Sequence, residues 1–311
     1  NGHDVINFDY RNFKEGFFKK KSLDNKILTI SKNYRPNLIL FGHNNSLSRT
    51  TLLNIKKNLN TKIALWYEDH VIKGDPSFRK NLDLIEKNND LIDNYFITTS
   101  PDIIKTKIKR SKINFLPIPV DPNIENGDFY KFKKSKDLFF ALSHGVNYGK
   151  LKKNIIDERS QFLDKLISIS NDKIKFNILG LYNEEPKWNY EFNKELMYSK
   201  TALNLSRGGP SKYASSNRIA TLMGNGILTF INEKIKFQDF FKDGEIITYK
   251  DEKDLIKKLI SIKDNSKEIL KRSKLAKKNY FKYFENIIIS DFMIFKIFNT
   301  KKKYKYIWTN V

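Results

Sequence analysis

The chain reads as an α/β protein of two parallel-sheet domains closed by a long helical segment. Three observations predict this. Short apolar runs alternate with amphipathic helical patterns, and repeated β-α units of that kind form parallel sheets covered on both faces. The alternation is interrupted at Leu116–Pro122 (LPIPVDP), where three prolines in seven residues can continue neither a helix nor a central strand. At 311 residues the chain is long enough to build two hydrophobic cores.

Taken in order, Asn1-Gly2 reads as a helix C-cap and Asp4–Phe8 as the strand after it, so the reading expects an N-terminally truncated chain. Pro36–Phe41 (PNLILF) reads as a strand, Ser48–Asn58 as a helix, Lys62–Trp66 (KIALW) as a strand and Ser77–Asn88 as a helix. Tyr95–Thr98 follows as a strand, a helix is expected after Pro101, and Ile113–Leu116 is the last strand of the first unit. Beyond the prolines, strands are expected at Leu138–Leu142 and Lys175–Leu179, flanking a helix at Glu158–Ser168 whose Phe162, Leu163, Leu166 and Ile167 face inward. A short helix around Asn193–Tyr198, strands at Ala202–Leu205, Ile227–Ile231 and Ile246–Tyr249, and a helix at Glu252–Ile262 complete the second unit. Ser266–Phe298 reads as one long helical pattern before KKKYKYIW. The resulting boundaries are 1–119 for the first domain, 120–285 for the second, and 286–311 for a helix and tail that pack back on the fold.

Composition narrows the function classes. Hydrophobic content of 40% and aromatic content of 14% describe a folded protein. The net charge of +23 first suggests nucleic acid or an anionic membrane surface. Nucleic acid is disfavoured, because the basic residues are mostly Lys and are spread through the chain, whereas base readout favours clustered Arg. With no Cys, disulfides and thiolate metal sites are excluded, and four isolated His offer no zinc spacing, so no metal is expected. No apolar run is long enough to span a bilayer and no signal peptide is visible, so the expected location is cytoplasmic. The lysines after Phe298, with Trp308, suit a peripheral contact with an anionic inner membrane face.

The candidate chemistry centres on Ser206–Ile231 (SRGGPSKYASSNRIATLMGNGILTFI), read as strand, polar loop, helix and strand. Ser215 or Ser216 can cap the helix, Ile219, Leu222 and Met223 share one face, and Gly224 and Gly226 stop it. Arg207, Lys212 and Arg218 would then sit beside free N–H groups at the positive end of the helix dipole, which suits a diphosphate. The turn SHGVNYGK, with His144, Gly145, Gly149 and Lys150, could let backbone approach a phosphate but lacks dinucleotide spacing. In parallel sheets ligands gather at the carboxyl ends of strands. Those ends hold His43, Asn44 and Asn45 after one strand, Glu68, Asp69 and His70 after another, and Thr99 and Ser100 after a third. A histidine beside carboxylates can serve as a general base near neutral pH or simply as a hydrogen-bonding residue.

The order ALNLSR, NRIATLMGNGILTFI, QDFF and EIITYKDEKDLIKKL resembles the C-terminal half of the CgeB-like glycosyltransferases, with ALWYEDH and FLPIPVDP resembling parts of their first domain. The family pattern is roughly R-x-x-E-x-x-x-x-G, an apolar strand, an acidic-aromatic segment and Y-x-D before a helix. Arg218, Gly226, Phe240, Phe241, Tyr249 and Asp251 fall on it. The resemblance implies the GT-B architecture, two Rossmann-like domains, and hexosyltransferase-like transfer of a sugar from a nucleotide-sugar donor to a glycan or other hydroxyl acceptor. It implies no bound metal and no cofactor besides the donor substrate, and it associates the chain with cell-surface polysaccharide synthesis. Donor binding would fall to Arg218, Ser215, Ser216, Asn217, Arg207, Lys212, Thr221 and Gly145, acceptor binding to His43 and Asn44, and proton removal to Asp69, His70 or Glu68. Thr221 stands where the family has a ribose-holding glutamate, and a hydroxyl accepts a weaker, shorter-reaching hydrogen bond than a carboxylate. Two other readings remain open at this stage, a polyanion-binding protein and a catalytically degenerate glycosyltransferase scaffold.

Overall fold

The computed structural model describes residues 2–10, 17–42, 47–142, 146–147, 150–151 and 157–310. Its first half holds a parallel sheet in the order β1 (Leu38–Gly42), β2 (Lys62–Tyr67), β3 (Asn94–Ile97) and β4 (Ile113–Phe115). In β2 and β3 successive side chains point to opposite faces. Ile63, Leu65, Tyr95 and Ile97 therefore pack with Leu52 and Ile55 of α2 (Arg49–Asn58) and Leu82 and Ile85 of α3 (Phe78–Glu86). Helix α1 (Phe17–Tyr34) packs on α2. Ala64 and Phe96 face the other way, into a second core shared with the C-terminal helices.

The second half begins with β5 (Lys136–Ala141), followed by a short antiparallel pair, β6 (Val146–Asn147) and β7 (Lys150–Leu151). Helix α4 (Glu158–Ser170) leads to β8 (Phe176–Leu179), and α5 (Asn189–Met197) leads to β9 (Ser199–Asn204). Helix α6 (Arg218–Gly224) joins β9 to β10 (Leu228–Asn232), β11 (Ile247–Tyr249) follows, and α7 (Glu252–Ile262) packs on α4. The sheet is parallel in the order β11-β10-β9-β5-β8. From β5 the chain goes to β8 on one side and then crosses to β9 on the other. The strand order thus reverses between β5 and β9, where parallel sheets open a crevice at their carboxyl ends. Leu163 and Leu166 of α4 are fully buried against this sheet, each side chain stabilising the fold by roughly 1.5–3 kcal/mol.

The long C-terminal helix of the sequence reading is two helices, α8 (Ser266–Phe284) and α9 (Asn286–Phe298). The break at Glu285 has a tertiary cause. Val120 N donates to Phe284 O and Asn286 N donates to Val120 O, both at 2.9 Å, so the chain after the prolines takes the backbone groups that would continue the helix. Helix α9 then lies on β3, where Phe292 meets Phe96 edge-on at 6.2 Å. The tail folds back onto it. Trp308 is only 3% exposed and stacks among Phe284, Phe292 and Tyr306, so it is a core residue and takes no part in the peripheral membrane contact for which the sequence makes it a candidate.

Two further expectations are corrected. Asp4–Phe8 forms no strand. After Pro101 there are only single 3-10 turns, Pro101–Ile103 and Arg110–Lys112, because this segment is held by side-chain bonds: Arg110 donates to Asp102 at 3.0 Å and to Ile113 O at 3.0 Å. Among the described residues, no helix is long and apolar enough to cross a membrane.

Candidate active site

The crevice between β5 and β9 is built from three chain segments. Helix α4 is capped by Asp157, whose carboxylate accepts the Arg159 amide at 2.9 Å and its guanidinium at 2.9 and 2.6 Å. Asp157 is fully buried and Arg159 is 8% exposed. Burial alone would raise the Asp157 pKa, but the Arg159 guanidinium and amide more than offset it and hold the carboxyl below its ordinary value.

Arg218, the first residue of α6, reaches the end of β9. Its Nη1 donates to Leu205 O at 2.9 Å and its guanidinium lies 5.0 Å from the Phe140 ring centre. Among the described residues no carboxylate pairs with it. Burial, then the neighbouring Arg159, push its pKa down to about 10, with Asp157 opposing. The buried Asp157 carboxylate pairs with Arg159 and acts on Arg218 only at longer range.

The loop between β9 and α6 adds polar groups that the fold leaves unused. Asn204 and Ser206, two residues apart, are 0% and 6% exposed. Asn204 Oδ1, Ser206 Oγ and Ser216 Oγ are buried and have no hydrogen-bond partner. The expected serine cap is absent. Asn217 occupies the N-cap position of α6 without a side-chain cap bond, while Ser215 Oγ accepts from Asn204 Nδ2 at 3.2 Å and donates to Ser216 O at 3.3 Å. Helix α6 has only seven residues, so the positive charge here comes from the Arg218 side chain more than from a helix dipole.

The carboxyl-end loops of the first sheet close on this region. His70, 7% exposed, bonds to the backbone of Ser215 and Arg207; burial outweighs these contacts and the nearby carboxylates and lowers its pKa, so the imidazole is neutral near pH 7. Asn217 Nδ2 donates to Glu68 Oε2 at 3.0 Å. The Arg207 guanidinium donates to both Asp75 oxygens, at 3.2 and 3.1 Å, and to Ser77 Oγ at 3.1 Å. Lys212 pairs with Asp102 at 3.1 Å and its carbonyl accepts from Ser100 N, also at 3.1 Å. The backbones touch at Gly74 and Gly208. A Cβ on Gly74 would stand 2.4 Å from Gly208 O, and Gly208 itself has φ +82, the left-handed region where glycine is at ease. Gly208 N donates to the Glu158 carboxylate.

The structure therefore brings together Glu68, His70, Arg207, Ser215, Ser216, Asn217 and Arg218. Asp69 is exposed beside them at the end of β2. Arg207 and Lys212, expected to face a diphosphate, are engaged with Asp75 and Asp102 of the first half. Thr221 lies one turn into α6, half-buried on the same side as Arg218. His43, Asn44, Asn45, His144, Gly145 and Gly149 lie outside the described residues, as does the side chain of Lys150. Sequence reasoning missed Asn204, Ser206, Asp157, Glu158 and Asp75. Only the register of β9, which puts Asn204 at its carboxyl end, carried a signal. Among the described residues, no group of three His, Asp or Glu is placed to hold a metal ion.

Residues 159–285 match the family described as glycosyl transferase-like. Among solved structures, the chain is similar to the Anabaena protein HepE in complex with UDP and glucose, at 9% identity and TM-score 0.62, over 94% of this chain and 85% of that one. It is similar to sucrose-phosphate synthase from Thermosynechococcus elongatus, at 9% identity and TM-score 0.57, over 89% of this chain and 77% of that one. It is also similar to TarM, at 14% identity and TM-score 0.57, over 89% of this chain and 58% of that one. The chain has the GT-B fold. No curated protein matches the sequence.

Proposed function

We propose that the chain transfers a sugar from a nucleotide-sugar donor to an acceptor hydroxyl between its two halves. The observation that carries this reading is Arg218, a half-buried cation at the β5/β9 crossover with a carbonyl and a ring face as its contacts. A group in that state favours a bound anion, and a guanidinium matches phosphate geometry. The HepE structure, with UDP and glucose, supports a donor of this class.

In the reaction the bond from the sugar's anomeric carbon to the diphosphate oxygen breaks, with its electron pair leaving on the diphosphate. The acceptor oxygen forms the new bond to that carbon and its proton passes to a base. Arg218 meets the charge growing on the diphosphate, the step where a fixed cation lowers the barrier most. This assignment makes catalysis independent of a metal ion. Of the three candidates for base, Asp69 suits the role best, since it is exposed, whereas Glu68 is engaged by Asn217 and His70 is buried in the contact between the halves. His70 then acts as a hydrogen-bonding residue of the closed form.

We assign the first sheet and residues up to 119 to the acceptor, residues 120–285 to the donor, and the chain to the CgeB-like branch with a glycan acceptor. The exposed lysines from Lys301 to Lys303 and Lys305 remain suited to an anionic membrane.

A thermal-shift panel with UDP, GDP, dTDP and CMP, against heparin and duplex DNA at near-physiological salt, tests the reading. A selective shift with one nucleotide, reduced in Arg218→Ala, is expected. A ligand at a hundred times its Kd adds roughly 2.7 kcal/mol, enough to shift the melting temperature by several degrees. Shifts with heparin and DNA alone, lost as salt rises, would overturn it.

A further inference from the structure

We infer that Asn204, Ser206 and Ser216 form a subsite for a ligand hydroxyl, next to the cation that takes the diphosphate. This rests on the donor reading above and adds residues to it. Buried polar atoms in folded proteins are nearly always hydrogen-bonded, and leaving one unpaired is destabilising. Three such atoms occur here within thirteen residues, at the carboxyl end of β9 and in the loop leading to α6.

The hydrogen-bond pattern says which chemistry would satisfy them. The single Ser215 hydroxyl proton is directed at Ser216 O, so its lone pair accepts from Asn204 Nδ2. That fixes the Asn204 amide with Oδ1 as the unused atom, and Oδ1 accepts only. It needs a donor. A phosphate oxygen cannot supply one; a hydroxyl can, and it can also accept from Ser206 or Ser216. A ligand carrying an anion for Arg218 and a hydroxyl for Asn204 combines the two chemistries of a nucleotide sugar. The hydroxyl has two possible sources, the ribose or the transferred sugar. The subsite also gives the hydroxyl a place where Thr221, itself short and uncharged, offers little.

Both serines can be emptied with little effect on the free protein. Removing a hydroxyl that has no partner leaves apo stability unchanged or slightly higher, because the desolvation cost disappears with it. The experiment measures the affinity of wild type, Ser206→Ala, Ser216→Ala and Asn204→Leu for UDP and GDP, for their 2′-deoxy forms, and for UDP-glucose and GDP-mannose, with the apo melting temperature recorded for each. Expected is a loss of about five- to thirtyfold in Ser206→Ala for the probe that carries the bound hydroxyl, nucleotide or nucleotide sugar, with an unchanged apo melting temperature. If the ribose is the source, wild type loses affinity on going to the 2′-deoxy ligand and Asn204→Leu shows no further loss with it, since both remove one interaction. If the transferred sugar is the source, affinity for the free nucleotide is unchanged and only that for the nucleotide sugar falls. Wild-type affinity for every probe in all three variants overturns the inference, and so does an apo melting temperature several degrees lower in Ser206→Ala, which would place the hydroxyl in the fold's own network. Failure of wild type to bind any probe overturns the donor reading itself, and this inference with it.

Discussion

Among the described residues at the carboxyl end of the first sheet, the side chains of Thr98, Thr99 and Asn81 are engaged with backbone. Thr98 Oγ1 donates to Glu68 O at 2.7 Å, Thr99 Oγ1 accepts from Val71 N at 3.4 Å, and Asn81 Nδ2 donates to His70 O at 2.9 Å. At the corresponding end of the second sheet, among the described residues, Asn204 Oδ1, Ser206 Oγ and Ser216 Oγ have no partner and no carboxylate pairs directly with Arg218. The first arrangement rigidifies a loop; the second holds binding capacity in reserve. Stability experiments should therefore respond strongly to substitutions in the first loop set and binding experiments to those in the second, with Asp157 the exception that joins both.

The largest expected effect is at Asp157. Asp157→Ala leaves the buried Arg159 unpaired and removes a carboxylate that acts on Arg218, and stranding one member of a buried pair costs roughly 3–5 kcal/mol. Its folded-state pKa is depressed, so its contribution is fully present above the unfolded value of about 3.9 and is lost as pH falls through the folded value. Urea denaturation of both proteins at pH 7 and pH 3 checks this. Wild type should lose more stability than the variant on acidification; parallel losses would show that Asp157 is not a charged partner in the fold.

Much of this comparison was not legible in the sequence, and the reason is physical. The strands could be read because KIALWY and SKTALN carry local apolar patterns whose burial the sheet imposes. The orphaned atoms could not, because whether a serine hydroxyl is satisfied depends on contacts set by the whole fold. Arg218 was legible as a cation before a helix, yet its lack of a directly paired carboxylate among the described residues was not. Arg207 read the same way and proves to be held by Asp75, 132 residues distant in sequence. The break at Glu285 follows from Val120, more remote still in sequence, and Trp308 reads as an interfacial aromatic until the tail folds back.

A second, smaller effect concerns Arg218→Ala, which should weaken binding of the preferred nucleotide by about 1.5–3 kcal/mol, roughly ten- to a hundredfold. Isothermal titration on protein with an unchanged melting temperature decides it; equal affinity would remove Arg218 from the site and reverse the contrast between the two sheets.

Gly74→Ala probes the contact between the halves. The added methyl meets Gly208 O at 2.4 Å, and overpacking of this kind costs typically about 1–3 kcal/mol. Backbone meets the methyl there, so relief requires the loops to separate. A larger radius of gyration by small-angle scattering, with far-UV circular dichroism unchanged, is expected; an unchanged radius would mean that the loops yield locally and the halves stay closed.

The smallest effect separates a structural from a catalytic His70. Burial lowers its pKa, so its stabilising effect is complete above the unfolded value of about 6.5 and is lost as pH falls below it. The loss is at most about 1.4 kcal/mol per pH unit for one group. His70→Gln keeps a hydrogen-bonding side chain and removes the titration. Wild type minus variant stability, measured from pH 7.5 to pH 5.5, should decline on acidification, whereas a flat difference would show that His70 titrates freely. Because the imidazole bonds to the backbone of Arg207 and Ser215, the same protonation alters the loop that precedes Arg218. A fall in nucleotide affinity over the same pH interval in wild type, absent from His70→Gln, would tie the satisfied end of the first sheet to the unsatisfied end of the second. Turnover lost in His70→Gln at constant affinity would instead return His70 to the chemistry and leave Asp69 without its role as base.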